Sequence, residues 1–174
     1  MITDTFYLFS SFTASYNELS MTFKGGYGVT FRAYDEGVAY RFHTYSKKPI
    51  VIKDEIAKFA FNQNYTVYAP YSTAAKDKEQ FAMAFQNLYT KTGIGKMDND
   101  KLAFLPLTVD YANGVKLTIT EADLEAYPGM FIRGGQNKNE LNGVFAPYPS
   151  KMDYYPWRHM SYVKERESFI AKID

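Results

Sequence analysis

The chain has 174 residues, with 20 Lys and Arg against 19 Asp and Glu, and it contains no cysteine. This length suits one domain, spanning 1–174, that buries a core without disulfides or a thiolate-bound metal. The near-zero net charge argues against nucleic acid as a partner, and no apolar stretch approaches the ~20 residues that cross a bilayer. The N-terminus also lacks the basic and apolar regions of a signal peptide.

The first third of the chain predicts antiparallel strands. The 16 Tyr and 14 Phe suit a pleated, half-buried surface. From Leu19 to Phe42 apolar residues alternate with polar ones, as in strands that bury one face. Turn residues interrupt this pattern at Gly25-Gly26 and at 35–37. A hairpin is therefore predicted over about 27–45.

Residues 71–101 depart from this alternation. Four apolar residues have helical spacing: Phe81, Phe85, Leu88 and Tyr89. The segment is therefore expected to form a short helix near 77–90 or, alternatively, an ordered loop over the sheet. Strands resume around Asn113-Gly114, a signal for a two-residue hairpin turn, and two short strands follow Gly129. The last dozen residues fit a strand or a frayed amphipathic segment. The whole pattern predicts an all-β sandwich of antiparallel sheets.

The residues of the chain do not predict a complete active site. His43 and His159 are the two histidines, and no G-x-S-x-G elbow accompanies them, so a structural or surface role is favoured for both. The glycines of "GGYG" at 25–28 precede a strand. A phosphate-binding loop needs a helix N-terminus at that point, so this class of site is excluded.

The segment "ITEADLEAYPGM" at 119–130 carries three acids, Glu121, Asp123 and Glu125. In one interpretation Thr120 and Asp123 form a capping box that opens a brief helical turn. In the other the carboxylates belong to a Ca²⁺ site, because this cation takes six to eight oxygens. The segment lacks the EF-hand spacing and cannot complete a cage alone, so spacing by itself favours capping.

Some aromatic residues could stack on a sugar ring: Tyr127, Tyr154, Tyr155 and Trp157. Aromatic residues in β-proteins mostly fill cores and edges, so the core interpretation is favoured, least strongly for Trp157.

Four blocks of the sequence together resemble the N-terminal domain of glycoside hydrolase family 97. They are "YNELSMTF" (16–23), "VTFRAYDEGVAYRF" (29–42), "LPLTVDYANGVKLTITEADLEAYPGM" (105–130) and "PWR" (156–158). They occur in the order of that family and span most of the chain. The family includes the α-glucosidases and α-galactosidases of gut bacteria of the Bacteroides type.

The resemblance implies an antiparallel β-supersandwich similar to galactose-mutarotase-like folds. A (β/α)₈ barrel of the same polypeptide would carry the catalytic carboxylates, with the oligosaccharide at the interface of the two domains. A Glu of the N-terminal domain would help coordinate an active-site Ca²⁺, and the matching position is Glu121, which reverses the preference for capping. Tyr127, Trp157 and Arg158 become candidates for substrate binding. The chain alone is then expected to be inactive, in a periplasmic or secreted enzyme. The alternative is a stand-alone carbohydrate-binding or structural module.

Overall fold

A computed structural model describes residues 13–74, 79–83 and 86–173. Short strands dominate these residues, and the helical segments among them are three-residue 3₁₀ turns at Gln80–Ala82, Ile94–Lys96 and Pro156–Arg158. The strands are β1 (Asn17–Phe23), β2 (Tyr27–Tyr34), β3 (Gly37–Thr44), β4 (Ile50–Ile52), β5 (Lys58–Ala60), β6 (Thr66–Ala69), β7 (Thr90–Gly93), β8 (Leu107–Asp110), β9 (Lys116–Ile119), β10 (Met130–Gly134), β11 (Glu140–Phe145), β12 (Pro149–Tyr155), β13 (Met160–Arg166) and β14 (Ala171–Ile173). No helix in the described ranges is long and apolar enough to span a bilayer.

The chain divides into two compact units, Met1–Pro49 and Ile50–Asp174. The first unit holds one sheet in the order β1-β2-β3. The second holds sheets in the orders β7-β6-β8-β9, β10-β11-β5, β12-β13 and β14-β4. The strand pairs are antiparallel, so the predicted all-β, antiparallel fold class is confirmed. That 1–174 form a single domain stays a prediction.

The hairpin predicted over 27–45 is confirmed in the first unit. β2 and β3 pair from Tyr27 opposite Thr44 to Tyr34 opposite Gly37. The turn before β2 contains Gly25 and Gly26 with φ of 117° and 78°. Glycine is the residue that adopts such angles without steric cost, so the two glycines permit this turn.

The main core lies in the second unit. Val67 of β6 faces Val109 of β8, and both side chains are completely buried. Isolated bridges join Ala103 to Tyr71 and to Ile132, which connects the end of β6 with β10. The β-branched pairs suit these positions because they pack across neighbouring strands.

A second, smaller cluster of buried residues positions the loop 120–129. Its buried members are Ala57, Phe145, Ile170 and Ala171, and Tyr127 and Met130 pack against it. Ala171 belongs to β14, which pairs with β4, so the C-terminal segment takes the predicted strand alternative. The loop 120–129 runs between β9 and β10 and meets this cluster at its end.

The helix near 77–90 is not seen in the described residues, where the 3₁₀ turn at Gln80–Ala82 is the helical part and the ordered-loop alternative applies. Residues 75–78 and 84–85 lie outside the described residues. At 79–83 a buried side chain takes part in tertiary hydrogen bonds and the segment forms no longer helix. Gln80 Oε1 accepts the Leu102 N–H at 2.6 Å, and Gln80 Nε2 donates to the Asp100 carbonyl at 2.7 Å. These tertiary bonds hold the segment in place of the i→i−4 bonds of a helix.

The turn at Asn113-Gly114 is longer than predicted. Residues 111–115 connect β8 to β9, where a two-residue turn was expected. Asp110 Oδ1 accepts the Ala112 N–H at 3.0 Å, and Asn113 Oδ1 accepts the Val115 N–H at 3.1 Å. Because short polar side chains supply these bonds, the wider loop satisfies its own backbone.

Candidate functional site

The loop 120–129 carries the predicted metal ligand. All of its residues are described, and none of them begins a helical turn, so the capping-box interpretation of Thr120 and Asp123 is wrong. The Glu121 carboxylate binds elsewhere: its Oε2 accepts the Met130 N–H at 2.8 Å. The side chain therefore ties the start of the loop to the first residue of β10 and has no helix N-terminus to stabilise.

The backbone of this loop is strained. Asp123 and Ala126 adopt left-handed angles, with φ of 57° and 51°. Such angles cost an alanine about 1–2 kcal/mol, and they persist where surrounding contacts determine them. One such contact is the Glu121–Met130 bond, and another comes from Tyr127. The loop is held in a conformation that it would not favour alone.

Tyr127 connects the loop to a distant segment. Its hydroxyl donates to Glu55 Oε2 at 2.7 Å, across a separation of 72 residues. Glu55 lies between β4 and β5, and both side chains are partly buried. The aromatic ring of Tyr127 also contacts the Phe145 ring edge-on, with centroids 6.0 Å apart. Three parts of the second unit thus meet at the loop.

Burial raises the pKa of Glu121 above its usual 4.5, and the negative charge of Glu55 raises it further. The hydrogen bond from the Met130 N–H acts in the opposite direction and does not overcome the burial. The folded protein therefore disfavours the ionised carboxylate at this position. A cation beside Glu121 would remove that penalty, because an opposite charge stabilises the ionised form.

The second oxygen of Glu121, Oε1, lies beside Gly129. Oε1 accepts no hydrogen bond from the residues that the structure describes. A Cβ at Gly129 would stand 3.1 Å from Oε1, closer than an ordinary contact. Because glycine has no Cβ, Gly129 allows the Glu121 carboxylate to keep its position. Oε1 is thus the atom of this carboxylate that lacks a hydrogen-bond donor among the described residues.

These residues fit part of a calcium site. Ca²⁺ takes six to eight oxygens and prefers carboxylates. Glu121 and Glu55 are two nearby carboxylates, while Asp123 and Glu125 are exposed. Among the described residues no group of three or more His, Cys, Asp or Glu could hold a metal ion. A calcium ion at Glu121 would need further oxygens from water or from another part of a polypeptide.

The other substrate-binding candidates lie at the tip of the β12–β13 hairpin. Trp157 is 69% exposed, and the Arg158 guanidinium lies over its ring at 4.3 Å from the centroid. The neighbouring Tyr155 stacks on Tyr162 with centroids 4.0 Å apart. The core interpretation is therefore wrong for the exposed rings Tyr154, Tyr155 and Trp157, whereas it describes the half-buried Tyr127.

Both histidines contact tyrosines. His43 Nε2 and the Tyr45 hydroxyl are 2.9 Å apart, and His159 Nδ1 lies 3.4 Å from the Tyr154 hydroxyl. Within the described ranges neither histidine hydrogen-bonds to a serine, so no nucleophilic triad is assembled there.

Comparison with known proteins identifies the family. The sequence profile described as Glycosyl-hydrolase 97 N-terminal matches residues 2–172. The chain belongs to this family. It is also 39% identical, over 178 aligned residues, to a retaining alpha-galactosidase of Bacteroides thetaiotaomicron. The alignment covers 100% of this chain and 27% of that relative, so the chain spans about a quarter of the relative's length.

In the sequence of this family 97 N-terminal chain, nothing marks Glu55 as a site residue. Family blocks led to Glu121, and an aromatic residue six positions later gave Tyr127. The "KDE" segment at 53–55 reads as an ordinary polar connection between two apolar strands. Since its contact with Tyr127 bridges 72 residues, no local pattern in the sequence could have found it.

Proposed function

We propose that this chain is the non-catalytic N-terminal β-domain of a Ca²⁺-dependent α-glycosidase. It packs on a (β/α)₈ barrel of the same polypeptide and contributes Glu121 to the active-site calcium. Family membership and a glycosidase relative support this proposal. The observation that carries it is the Glu121 carboxylate, which is held by the Met130 N–H and partly desolvated, while Oε1 accepts no hydrogen bond from the described residues.

Glycoside hydrolysis needs two carboxyl groups that flank the scissile bond, and in this proposal the barrel supplies them. Calcium, when bound, would polarise the leaving oxygen or orient the general acid. The role of this chain's own residues is to prepare the Glu121 carboxylate for the cation. The Met130 N–H orients the Glu121 carboxylate, and the loop partly excludes water from it. The chain alone is inactive, and α-galactosides are the first substrates to test because the relative is an alpha-galactosidase.

An exposed apolar face in the first unit supports packing against further polypeptide. The register of β1, β2 and β3 places five exposed aromatic side chains on one face: Phe23, Tyr27, Phe31, Tyr40 and Phe42. They are 37–61% exposed, and an aromatic side chain has roughly 150–250 Å² to bury, so together they present roughly 350–600 Å². That is the size of the largest patch on a typical monomer, and such patches are often interaction sites.

A stand-alone carbohydrate-binding module is the second candidate, and the 69% exposed Trp157 favours it. Trp157 is the one tryptophan of the chain, so intrinsic fluorescence reports on this position alone. A saturable change on adding galacto- or gluco-oligosaccharides, lost in Tyr155→Ala, would support this candidate.

The size of the natural polypeptide distinguishes the two candidates. An antibody raised against this chain is used to blot an extract of the source cell. A band several times larger than 20.0 kDa is expected for a domain of a larger glycosidase. A band at 20 kDa would overturn the proposal and leave the carbohydrate-binding module.

A further inference from the structure

We propose that Glu55 is a positioning residue for Glu121. It holds Tyr127, and through Tyr127 it holds the loop 120–129 in the conformation that presents the Glu121 carboxylate to a divalent cation. The role toward a cation rests on the proposed function above. The role toward the loop stands on the geometry of the chain alone.

The first step is the bond between Glu55 and Tyr127. A phenol that donates to a carboxylate at 2.7 Å forms a charge-assisted hydrogen bond, which is about twice as strong as a neutral one. The Tyr127 ring also packs against the Phe145 ring, with centroids 6.0 Å apart and an interplanar angle of 72°. Because Glu55 and Phe145 belong to different elements, Tyr127 can satisfy both contacts in one orientation of the loop.

The second step leads from Tyr127 to Glu121. Tyr127 precedes Met130 by three residues, and both side chains pack against the same small cluster. Met130 donates its N–H to Glu121. A shift of Tyr127 therefore moves the amide that orients the Glu121 carboxylate. The strained angles at Asp123 and Ala126 oppose this conformation, so the loop would relax once the Tyr127 contact is lost.

The third step concerns the charge of Glu55. Its Oε2 lies 2.7 Å from the hydroxyl of Tyr127, which belongs to the same loop as Glu121. A second carboxylate beside the loop adds negative potential there, which attracts a cation that prefers oxygen ligands. Glu55 positions the loop through Tyr127 and attracts the cation through this potential, without being a ligand itself.

The test for the loop is amide hydrogen exchange of the whole chain, followed by NMR. We expect the Met130 amide to exchange about tenfold faster in Tyr127→Phe and in Glu55→Ala, because each variant removes a charge-assisted bond. Glu55→Gln keeps a neutral acceptor for the Tyr127 hydroxyl and should accelerate exchange by no more than about threefold. The Val67 amide in the main core serves as the control for an intact fold. Unchanged Met130 exchange in both Tyr127→Phe and Glu55→Ala would overturn the positioning role.

The test for the cation uses Mn²⁺, whose paramagnetism broadens nearby amides, with Ca²⁺ as competitor. Tyr127→Phe removes no carboxylate, yet it should need several-fold more Mn²⁺ to broaden the Met130 amide equally. Equal Mn²⁺ requirement in the wild type and Tyr127→Phe would refute positioning toward a cation. If Mn²⁺ broadens Met130 in neither protein while exchange accelerates as expected, the positioning of the loop stands, and a role of Glu55 toward a cation bound by the oxygens of this chain is refuted.

Discussion

Glu121→Ala and Glu121→Gln separate a stabilising role of this side chain from a functional one. The alanine variant removes the acceptor of the Met130 N–H, a bond of 2.8 Å. A hydrogen bond to a charged group contributes about 1.5–3 kcal/mol, and water replaces part of it at this half-exposed site, so we expect a loss of about 1–2 kcal/mol. For a chain of this size that lowers Tm by about 2–8 °C. The glutamine variant keeps an acceptor and removes the charge.

The two variants should differ in their dependence on pH. Burial and then the charge of Glu55 raise the pKa of Glu121 above its usual 4.5, so the folded state favours the protonated form. Relative to the glutamine variant, the wild type is then most stable below about pH 4.5 and loses stability as the pH rises through the folded-state pKa. We therefore expect Glu121→Gln to be at least as stable as the wild type at pH 7 and to lose that advantage at pH 4.

Urea denaturation followed by far-UV circular dichroism at both pH values measures these differences. Glu121→Gln losing as much stability as Glu121→Ala at pH 7 would refute the reasoning. Such a result would mean that the charge itself holds the loop and that the residue is structural.

Three further substitutions test other parts of the structure. Gly129→Ala places a methyl 3.1 Å from Glu121 Oε1, so it should weaken Mn²⁺ binding severalfold; Gly37→Ala, whose methyl meets nothing within 4 Å, is the control, and equal binding would show that Oε1 does not face the cation. Gln80→Leu leaves buried backbone groups unpaired and should cost about 3–5 kcal/mol in urea denaturation, whereas a loss under about 1 kcal/mol would mean that water replaces these bonds. Trp157→Ala should change stability by less than about 0.5 kcal/mol by circular dichroism, since the ring is 69% exposed; a larger loss would give it a structural role.

The strands could be predicted because their signals are local. Alternation at 29–42 specifies which side chains share a face, and the glycines at 25–26 permit the positive φ of the turn. The segment 77–90 could not be predicted in the same way. Its apolar spacing fits a helix, but the buried amide of Gln80 bonds to groups 20 and 22 residues away. Such contacts exist only after the chain has folded.

The candidate site also contains residues that the sequence predicts and contacts that only the fold creates. Glu121 and Tyr127 were candidates from the family blocks and from residue type. The hydrogen bonds that Tyr127 donates to Glu55 and that Met130 donates to Glu121 depend on how the loop returns to the sheet. The left-handed angle at Ala126 gives no signal in the sequence, because alanine is not a residue that favours it.

The most direct test of the central claim is the calcium dependence of glycosidase activity in the natural polypeptide that contains this chain. The polypeptide is assayed on nitrophenyl α-galactoside and α-glucoside with added Ca²⁺ and with chelator, as wild type and as Glu121→Gln. We predict that chelation lowers the wild-type rate, that Ca²⁺ restores it, and that the variant folds but no longer responds to Ca²⁺. A Glu121→Gln variant with the same rate and the same response to Ca²⁺ as the wild type would contradict the assignment of Glu121 to the calcium site.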